Sequence, residues 1–372
     1  MIARNFFASF IVVCASVLIA GSGNAILTWQ IGPFTRPTDA PVITPDKASE
    51  FSDPISKEPV HWEALHTFNP AAVVRNGKVF VLYRAEDDSG EMKIGMHTSR
   101  LGLAQSSDGI HFTRDKTPVF YPAEDSQKYR EWPGGVEDPR IVEREDGTYV
   151  LAYTQWNRKT YDIGVATSTD LIHWTKHGPI FGDKLSDTPY KSSGIVTHLV
   201  EDRLIAAKIN GKYWMYWGEI TIRLATSEDL VHWTPQTDHK GDPITVLEKR
   251  PEKFDSSFPE TGPPPVLTDR GIVFLYNGKN DPKNGDPKIG PNAYAVGEAL
   301  FDKDDPSKLL SRTDQPVFKP ELAFEKTGQY AAGTTFAEGL VLFKQHWLLY
   351  YGCADSNVGV AVAPQNRFRR SS

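Results

Sequence analysis

Short apolar runs rich in β-branched and aromatic residues recur along the chain, each closed off by turn residues. Five of them end in an aromatic: "KVFVLYR" from Lys78, "TYVLAYT" from Thr148, "KYWMYWG" from Lys212, "GIVFLYNG" from Gly271 and "HWLLYYG" from His346. Their content and length predict strands, and no stretch between them carries the 3.6-residue period of an amphipathic helix of four turns. Four of the five follow a turn signal: Asn76-Gly77, Asp146-Gly147, Asn210-Gly211 and Asp269 to Gly271. Such dipeptides suit hairpins because both residues tolerate positive φ. Ahead of each turn lies a shorter apolar run: "NPAAVV", "DPRIV", "SSGIV", "GPPPVL" and "EGLVL".

The segments after these strands repeat one another. "AQSSDGIHFTR" (104–114), "ATSTDLIHWTK" (166–176) and "ATSEDLVHWTP" (225–235) share Ala, Ser, Asp, His, an aromatic and Thr at the same relative positions. "ALFDKDDPSKL" (299–309) is a degenerate fourth copy, and "VGVAVAP" (358–364) is a fifth that the C-terminus cuts short. The unit thus reads strand, turn, aromatic strand, loop, strand, Ser-x-Asp turn, His-aromatic strand, repeated at about 60–75 residues. Four strands per unit and five units predict an all-β, five-bladed β-propeller, an architecture that leaves few exposed sheet edges. The Asp of each Ser-x-Asp turn is expected to accept backbone N–H groups as an Asx turn. His111, His173 and His232 belong to the same repeat and are expected to be blade residues rather than ligands.

If the first strand of each unit is innermost, its start faces the central channel. Those starts are Asn69, Asp138, Ser193, Gly262 (with Glu260 just before it) and Glu338. The residues after the aromatic strands, Arg84, Glu219, Asn277 and Asp355, should emerge at the same end, because an antiparallel second strand finishes where the first began. The repeat therefore predicts one polar ring holding Asp138, Glu219, Glu260 and Asp355 with Arg84 and Arg140. Carboxylates converging on a channel mouth suit glycoside cleavage, which needs one acid for the leaving oxygen and one base for the nucleophile.

Composition narrows the alternatives. With 40% hydrophobic and 24% charged residues the chain has the makeup of an ordinary globular protein. A net charge of −6 with scattered Lys and Arg gives no basic stripe, so nucleic acid is not an expected partner. The nine Trp and fourteen Tyr offer flat apolar ring faces suited to sugars, although most must serve strand packing. No phosphate-binding glycine loop, His-Glu-x-x-His pair or Gly-x-Ser-x-Gly elbow is present. "FDKDDPS" (301–307) lacks the Gly and distal Glu of a calcium loop and is read as a solvated turn. No metal or other cofactor is expected. Met1–Asn5, the apolar run Phe6–Ala20 and "GSGNA" have the three parts of a secretory signal peptide, with cleavage expected after Ala25 and an uncleaved anchor as the alternative. The expected layout is a signal peptide at 1–25, an N-terminal extension at 26–59 and one propeller domain at 60–372, secreted or periplasmic and with no stable membrane association after cleavage. Cys14 falls within the signal, so the mature chain keeps Cys353 alone and no internal disulfide is expected.

"FNPAAVV", "YRAED", "GGVEDPRIV", "KINGKY", "GPPPVLTDRGIVFLYNG" and "YYGCAD", in this order, resemble glycoside hydrolase family 130, the mannoside phosphorylases and mannosidases. The resemblance implies that Asp138 is the general acid, passing its proton through the 3-hydroxyl of bound mannose. It places Asn69, Arg84, Lys208 and Asp355 around the mannose of the −1 subsite. Asn277 joins these as a substrate-binding residue, and Glu137 and Arg140 are assigned to holding the site. Phosphorylases of the family typically follow the Lys-Ile-Asn-Gly-Lys-Tyr motif with a His-Arg pair, where this chain has Trp217 and Gly218, and read Tyr-His-Gly where it has "YNG". Losing Arg and His removes donors for a phosphate dianion. Glu219 and Glu260 match the paired glutamates of the β-1,2-mannosidase branch and are expected to activate water, without the sequence saying which is the base. The expectation is an exported inverting β-1,2-mannosidase acting on a mannoside oligosaccharide or glycan. A β-mannoside phosphorylase and a non-catalytic glycan-binding propeller are the alternatives.

Overall fold

In a computed structural model of the chain, the structure describes residues 27–182 and 189–365. The fold is nearly all β: among the described residues the regular helices are one turn at Lys128–Glu131 and a 3-10 turn at Ala323–Glu325. No described helix is long and apolar enough to cross a membrane. The expected signal peptide lies outside the described residues.

The strands fall into five successive antiparallel units. Unit 1 comprises His66–Arg75, Lys78–Glu86, Ser99–Ser106 and Thr113–Arg114, and unit 2 comprises Gly135–Glu143, Tyr149–Trp156, Tyr161–Ser168 and Thr175–Pro179. Unit 3 is built on Ser193–Ile195, Lys212–Trp217, Ile222–Ser227 and Trp233–Pro235, and unit 4 on Phe258–Thr261, Gly271–Lys279, Tyr294–Phe301 and Leu309–Arg312. Unit 5 has Thr335–Phe343, His346–Cys353 and Asn357–Pro364. The turns Asn76-Gly77 and Asn210-Gly211 have positive φ at both residues (51° and 68°, 53° and 82°), the geometry whose twist matches that of the flanking strands. Asp108, Asp170 and Asp229 accept the backbone N–H groups two and three residues ahead at 2.8–2.9 Å. Each also meets the Nδ1 of its His at 2.7–2.8 Å, so the repeated Ser-x-Asp-x-x-His motif closes a turn.

Successive side chains on a strand point to opposite faces, and the second strands use both. In unit 1, Val79, Val81, Tyr83 and Ala85 pack with Val341, Leu348 and Tyr350 of unit 5, while Leu82 packs with Ile141 and Leu151 of unit 2. Three further clusters join unit 2 to 3, unit 3 to 4 and unit 4 to 5. The five cores thus link the units in a closed cycle, unit 5 returning to unit 1.

Two features depart from the simple repeat. In unit 3 the first strand continues as Thr197–Val200 and pairs with Arg203–Ala206, so an extra hairpin precedes the Asn210-Gly211 turn; the apolar run "LIAAKI" behind Glu201-Asp202 supplies its second strand. In unit 5 the outer edge is covered from the N-terminal side. Thr35 exchanges backbone hydrogen bonds with Val362 at 2.8 and 2.7 Å, and Val358 donates to Ile43 at 3.0 Å. Trp29, Ile31, Phe34 and Ile43 enter the cores on either side of unit 5, so residues of the expected extension complete a unit that has three strands of its own among the described residues.

Candidate active site

The first strands of units 1, 2 and 5 break register at matching places, between Phe68 and Pro70, Glu137 and Arg140, and Ala337 and Gly339. A bulge of this kind leaves residues out of the ladder and re-aims their side chains. Those residues are Asn69 (φ 46°), Asp138 (φ 48°) with Pro139, and Glu338. A proline follows both Asn69 and Asp138, and a bulge is one of the few places where a strand tolerates a residue with no N–H to donate. In unit 3, Ser192 takes the same positive φ (62°). Gly352 leaves room for Asn69: a Cβ there would stand 2.2 Å from Asn69 Oδ1.

These bulges open on a cavity of about 360 Å³, at the low end of the roughly 300–1,000 Å³ of small-molecule sites. Asn69, Arg84, Glu137, Asp138, Lys191, Glu219, Glu260 and Asp355 supply its polar lining. Phe68, Trp156, Tyr161, Tyr294, Tyr330 and Phe336 supply aromatic surface.

Arg84 organises one side. It donates to Asp138 Oδ1 at 3.1 Å, to Glu137 Oε1 at 2.8 Å and to Glu86 Oε1 at 2.7 Å, and lies 4.5 Å over the Phe68 ring. Asn69 Nδ2 also donates to Asp138 Oδ1, at 2.8 Å. Burial alone would raise Asp138, but Arg84, Lys191, Arg140 and the Asn69 bond outweigh it and hold the carboxyl below its usual range. Glu137 moves the other way, because burial and the charges of Asp138 and Glu86 exceed what Arg84 returns. Asp355, at the end of the fifth unit's second strand, is raised to about 7 by loss of water and by Asp138 and Glu86, against Arg84 and Lys191.

On the opposite side Glu219 and Glu260 face each other across an antiparallel backbone bridge. Lys191 lies between them, Nζ 3.5 Å from Glu219 Oε2 and 3.4 Å from Glu260 Oε1. Glu219 Oε1 accepts from the Tyr161 hydroxyl at 2.9 Å, which with burial pushes that phenol up to about 12. Glu260 Oε1 accepts from Ser192 Oγ at 2.6 Å. Burial raises Glu260, Lys191 offsets part of that, and Glu219 adds to it. No hydrogen bond from a described residue reaches Glu260 Oε2.

The sequence matches the family model described as "beta-1,4-mannooligosaccharide phosphorylase" over residues 36–368. The chain belongs to glycoside hydrolase family 130. It is 35% identical, over 88% of its length and 96% of the relative, to the 1,2-beta-oligomannan phosphorylase of Thermoanaerobacter sp. (strain X514). A solved structure described by the statement that "the GH130 family of mannoside phosphorylases contains glycoside hydrolases that target beta-1,2 mannosidic linkages in Candida mannan" is 49% identical, with a TM-score of 0.91 over 94% of this chain and 98% of that one. A glycosyl hydrolase structure from Bacteroides ovatus is 51% identical, with a TM-score of 0.90 over 92% and 97%.

Within this GH130 chain the cavity gathers seven of the ten residues expected from the sequence: Asn69, Arg84, Glu137, Asp138, Glu219, Glu260 and Asp355. Three stand elsewhere. Lys208 begins the Lys208–Ile209 strand beside the Asn210-Gly211 turn, near His198 and Asp304, and its ammonium lies 4.8 Å over Tyr213. That turn is where the aromatic strand starts, whereas the cavity forms where it ends at Trp217, so Lys208 does not line the cavity. Arg140 is buried behind Asp138, donating to the carbonyls of Asp138, Thr261 and Gly262 and lying 3.0 Å from Glu338 Oε1. It ties units 2, 4 and 5 together. Asn277 spends its amide on unit 5, donating to Ala337 O at 3.0 Å and accepting Ala337 N–H at 2.8 Å.

The lysine that lines the cavity is Lys191. It precedes Ser192 and Ser193, the aligned start of unit 3, so the repeat alignment pointed two residues away from it. Trp156 ends a second strand and Tyr161 and Tyr294 begin third strands, all at the end the antiparallel argument designates.

Asn277→Ala leaves the Ala337 N–H and carbonyl without partners. It is expected to cost about 1–3 kcal/mol per unsatisfied group in urea unfolding, with KM unchanged in the folded protein. A KM rise without loss of stability would return Asn277 to the substrate.

Proposed function

We propose that the five units are the blades of a propeller and that the cavity at their shared end hydrolyses β-1,2-linked mannosides with inversion, water being the nucleophile. The carrying observation is the Glu219–Lys191–Glu260 arrangement. A phosphate dianion entering there meets two carboxylates that already share the one ammonium of that wall, and like charges at this range repel. A water is accommodated, and a carboxylate can take its proton. The aromatic walls suit the apolar faces of a pyranose. Linkage rests on the β-1,2 specificity named for relatives of this chain.

Glu260 is the proposed base. Its Oε2 is free of described donors and burial raises its pKa, whereas Glu219 is held through both oxygens by Tyr161 and Lys191. Asp138 is the proposed acid, acting through the 3-hydroxyl of the sugar as the family resemblance implies. Arg84 helps hold it ionised, so it must acquire a proton as sugar enters. Glu137 and Asp355, both raised, are the neighbouring carboxyls that carry one near neutrality.

The runner-up reading is a mannoside phosphorylase, which the names of several relatives favour. Incubation with β-1,2-mannobiose, with and without inorganic phosphate, separates the two. Mannose released at the same rate in both, first seen by proton NMR as the inverted anomer, is the expected result; phosphate-dependent mannose 1-phosphate would sink it. Residues 1–25 are proposed to direct export, a reading that N-terminal sequencing of the mature protein checks.

A further inference from the structure

Next to the cavity but outside its lining, three potential metal ligands meet on unit 1. His66 opens the first strand and pairs directly with Glu86, which closes the second. His97 ends the connecting segment just before the third strand. One ligand atom from each, with all three within 4.8 Å of one another, is buried or half-buried. The spacing in sequence matches no metal motif; it is the antiparallel pairing that brings them together.

The hydrogen bonds leave the right atoms available. His97 donates Nδ1–H to the Ser89 carbonyl at 2.9 Å, which fixes the tautomer and leaves Nε2 as a lone pair, the support that ligating histidines receive in metal sites. His66 Nδ1 is engaged by Ser356 Oγ at 3.0 Å, and that hydroxyl also accepts Gln329 N–H at 2.9 Å. No hydrogen bond from a described residue reaches Nε2 of either ring. Glu86 Oε1 is taken by Arg84, but Oε2 has one donor, Gln329 Nε2 at 3.0 Å, and a carboxylate oxygen has a second lone pair to give.

We infer that His66, Glu86 and His97 form a binding site for a borderline divalent cation, of which Zn²⁺ is the best fit. Two imidazoles and one carboxylate are a zinc donor set, while the hard cations Mg²⁺ and Ca²⁺ prefer all-oxygen cages. The segment between Glu86 and His97 carries Ile94 and Gly95 into the cavity wall, and Gly95 O accepts the Trp156 indole N–H at 2.8 Å. A cation held by His97 therefore pins the wall of the sugar site to the strand pair beneath it. Its place is structural: Arg84 stands between it and Asp138, so it reaches no reacting atom. The carboxylates of Glu137 and Asp138 around Arg84 offset the charge that the cation adds.

The test uses the purified full chain, stripped with EDTA and dialysed, then titrated with ZnCl₂ by calorimetry and followed by thermal unfolding. Expected are one saturable equivalent and a raised Tm, with no such equivalent from MgCl₂. In His97→Gln the equivalent should be lost, while the Tm in EDTA stays at the wild-type value. The exposed His111, His173 and His232 remain in that variant, so loose surface binding is accounted for. If His97→Gln fails to fold, His66→Gln replaces it. Absence of a saturable equivalent in the wild type, its survival in both variants, or equal binding of Mg²⁺ would overturn the site.

Discussion

Asp138→Asn should lower kcat by about 10²–10⁴-fold, the range for removing a general acid, in a protein that still folds. The substitution is isosteric, and Asn69 and Arg84 still have an oxygen to address. Arg84 keeps Glu86 and Glu137 as counter-charges, so the guanidinium is not stranded in a buried place. Glu137, raised in part by the charge of Asp138, relaxes toward its usual range and returns some stability. Loss of turnover with the melting temperature nearly kept would thus separate chemistry from architecture. The measurement is kcat on β-1,2-mannobiose beside a thermal scan and sugar affinity by calorimetry. Undiminished turnover in the variant removes Asp138 as the acid. No turnover in wild type and variant alike, with affinity kept, makes the protein a glycan-binding propeller. The alkaline side of the wild-type pH profile bears on the same point. Asp355 and Glu137 are raised, so they hold protons below their elevated pKa values and release them as pH rises through about 7 for Asp355. Activity should fall over that window, because no neighbouring carboxyl remains to protonate Asp138.

How much of this was legible beforehand follows from the range of the interactions. The Ser-x-Asp-x-x-His turn is closed by bonds two and three residues long, so its repeat shows directly in the sequence, and the aromatic strands between copies give the unit. Closure of unit 5 by Thr35 and Ile43 is a pairing across more than three hundred residues, and nothing local encodes it. Site residues divide in the same way. Strand direction tells which end a residue occupies, and every cavity residue is at the end so designated. It does not tell which face the side chain takes, because a bulge shifts the alternation by one. Arg140, which follows such a bulge, is therefore right in height but turned into a joint between units, and Asn277, on a strand with regular pairing, also spends its amide on a joint. Lys208 was a different kind of miss, carried by motif resemblance against what the strand order itself implied, while Lys191, on no quoted motif, took the place of the missing cation.

Glu260→Gln is expected to cost on the order of 10²–10⁴ in kcat, and Glu219→Gln less, about 10²-fold, the scale of a misplaced reactant rather than a missing base. The difference lies in what each carboxylate is free to do. Glu260 accepts Ser192 and Lys191 on Oε1 alone, leaving Oε2 to receive a proton from water. Glu219 is committed to the Tyr161 hydroxyl and the Lys191 ammonium, so its loss frees Lys191 and loosens the wall without removing the proton acceptor. The pH profile distinguishes the roles where rates alone do not. A base must be ionised, so activity should fall on the acid side as pH drops through the raised pKa of Glu260. Glu219→Gln removes a like charge beside Glu260 and should move that limb to lower pH while keeping it. Glu260→Gln should abolish the limb. If instead Glu219→Gln flattens it and Glu260→Gln only shifts it, the two assignments exchange. A further gain of phosphate-dependent turnover in Glu219→Gln would show that this carboxylate is what keeps phosphate out. That outcome is the expected one, since Lys191 would then have an ammonium no longer shared between two anions.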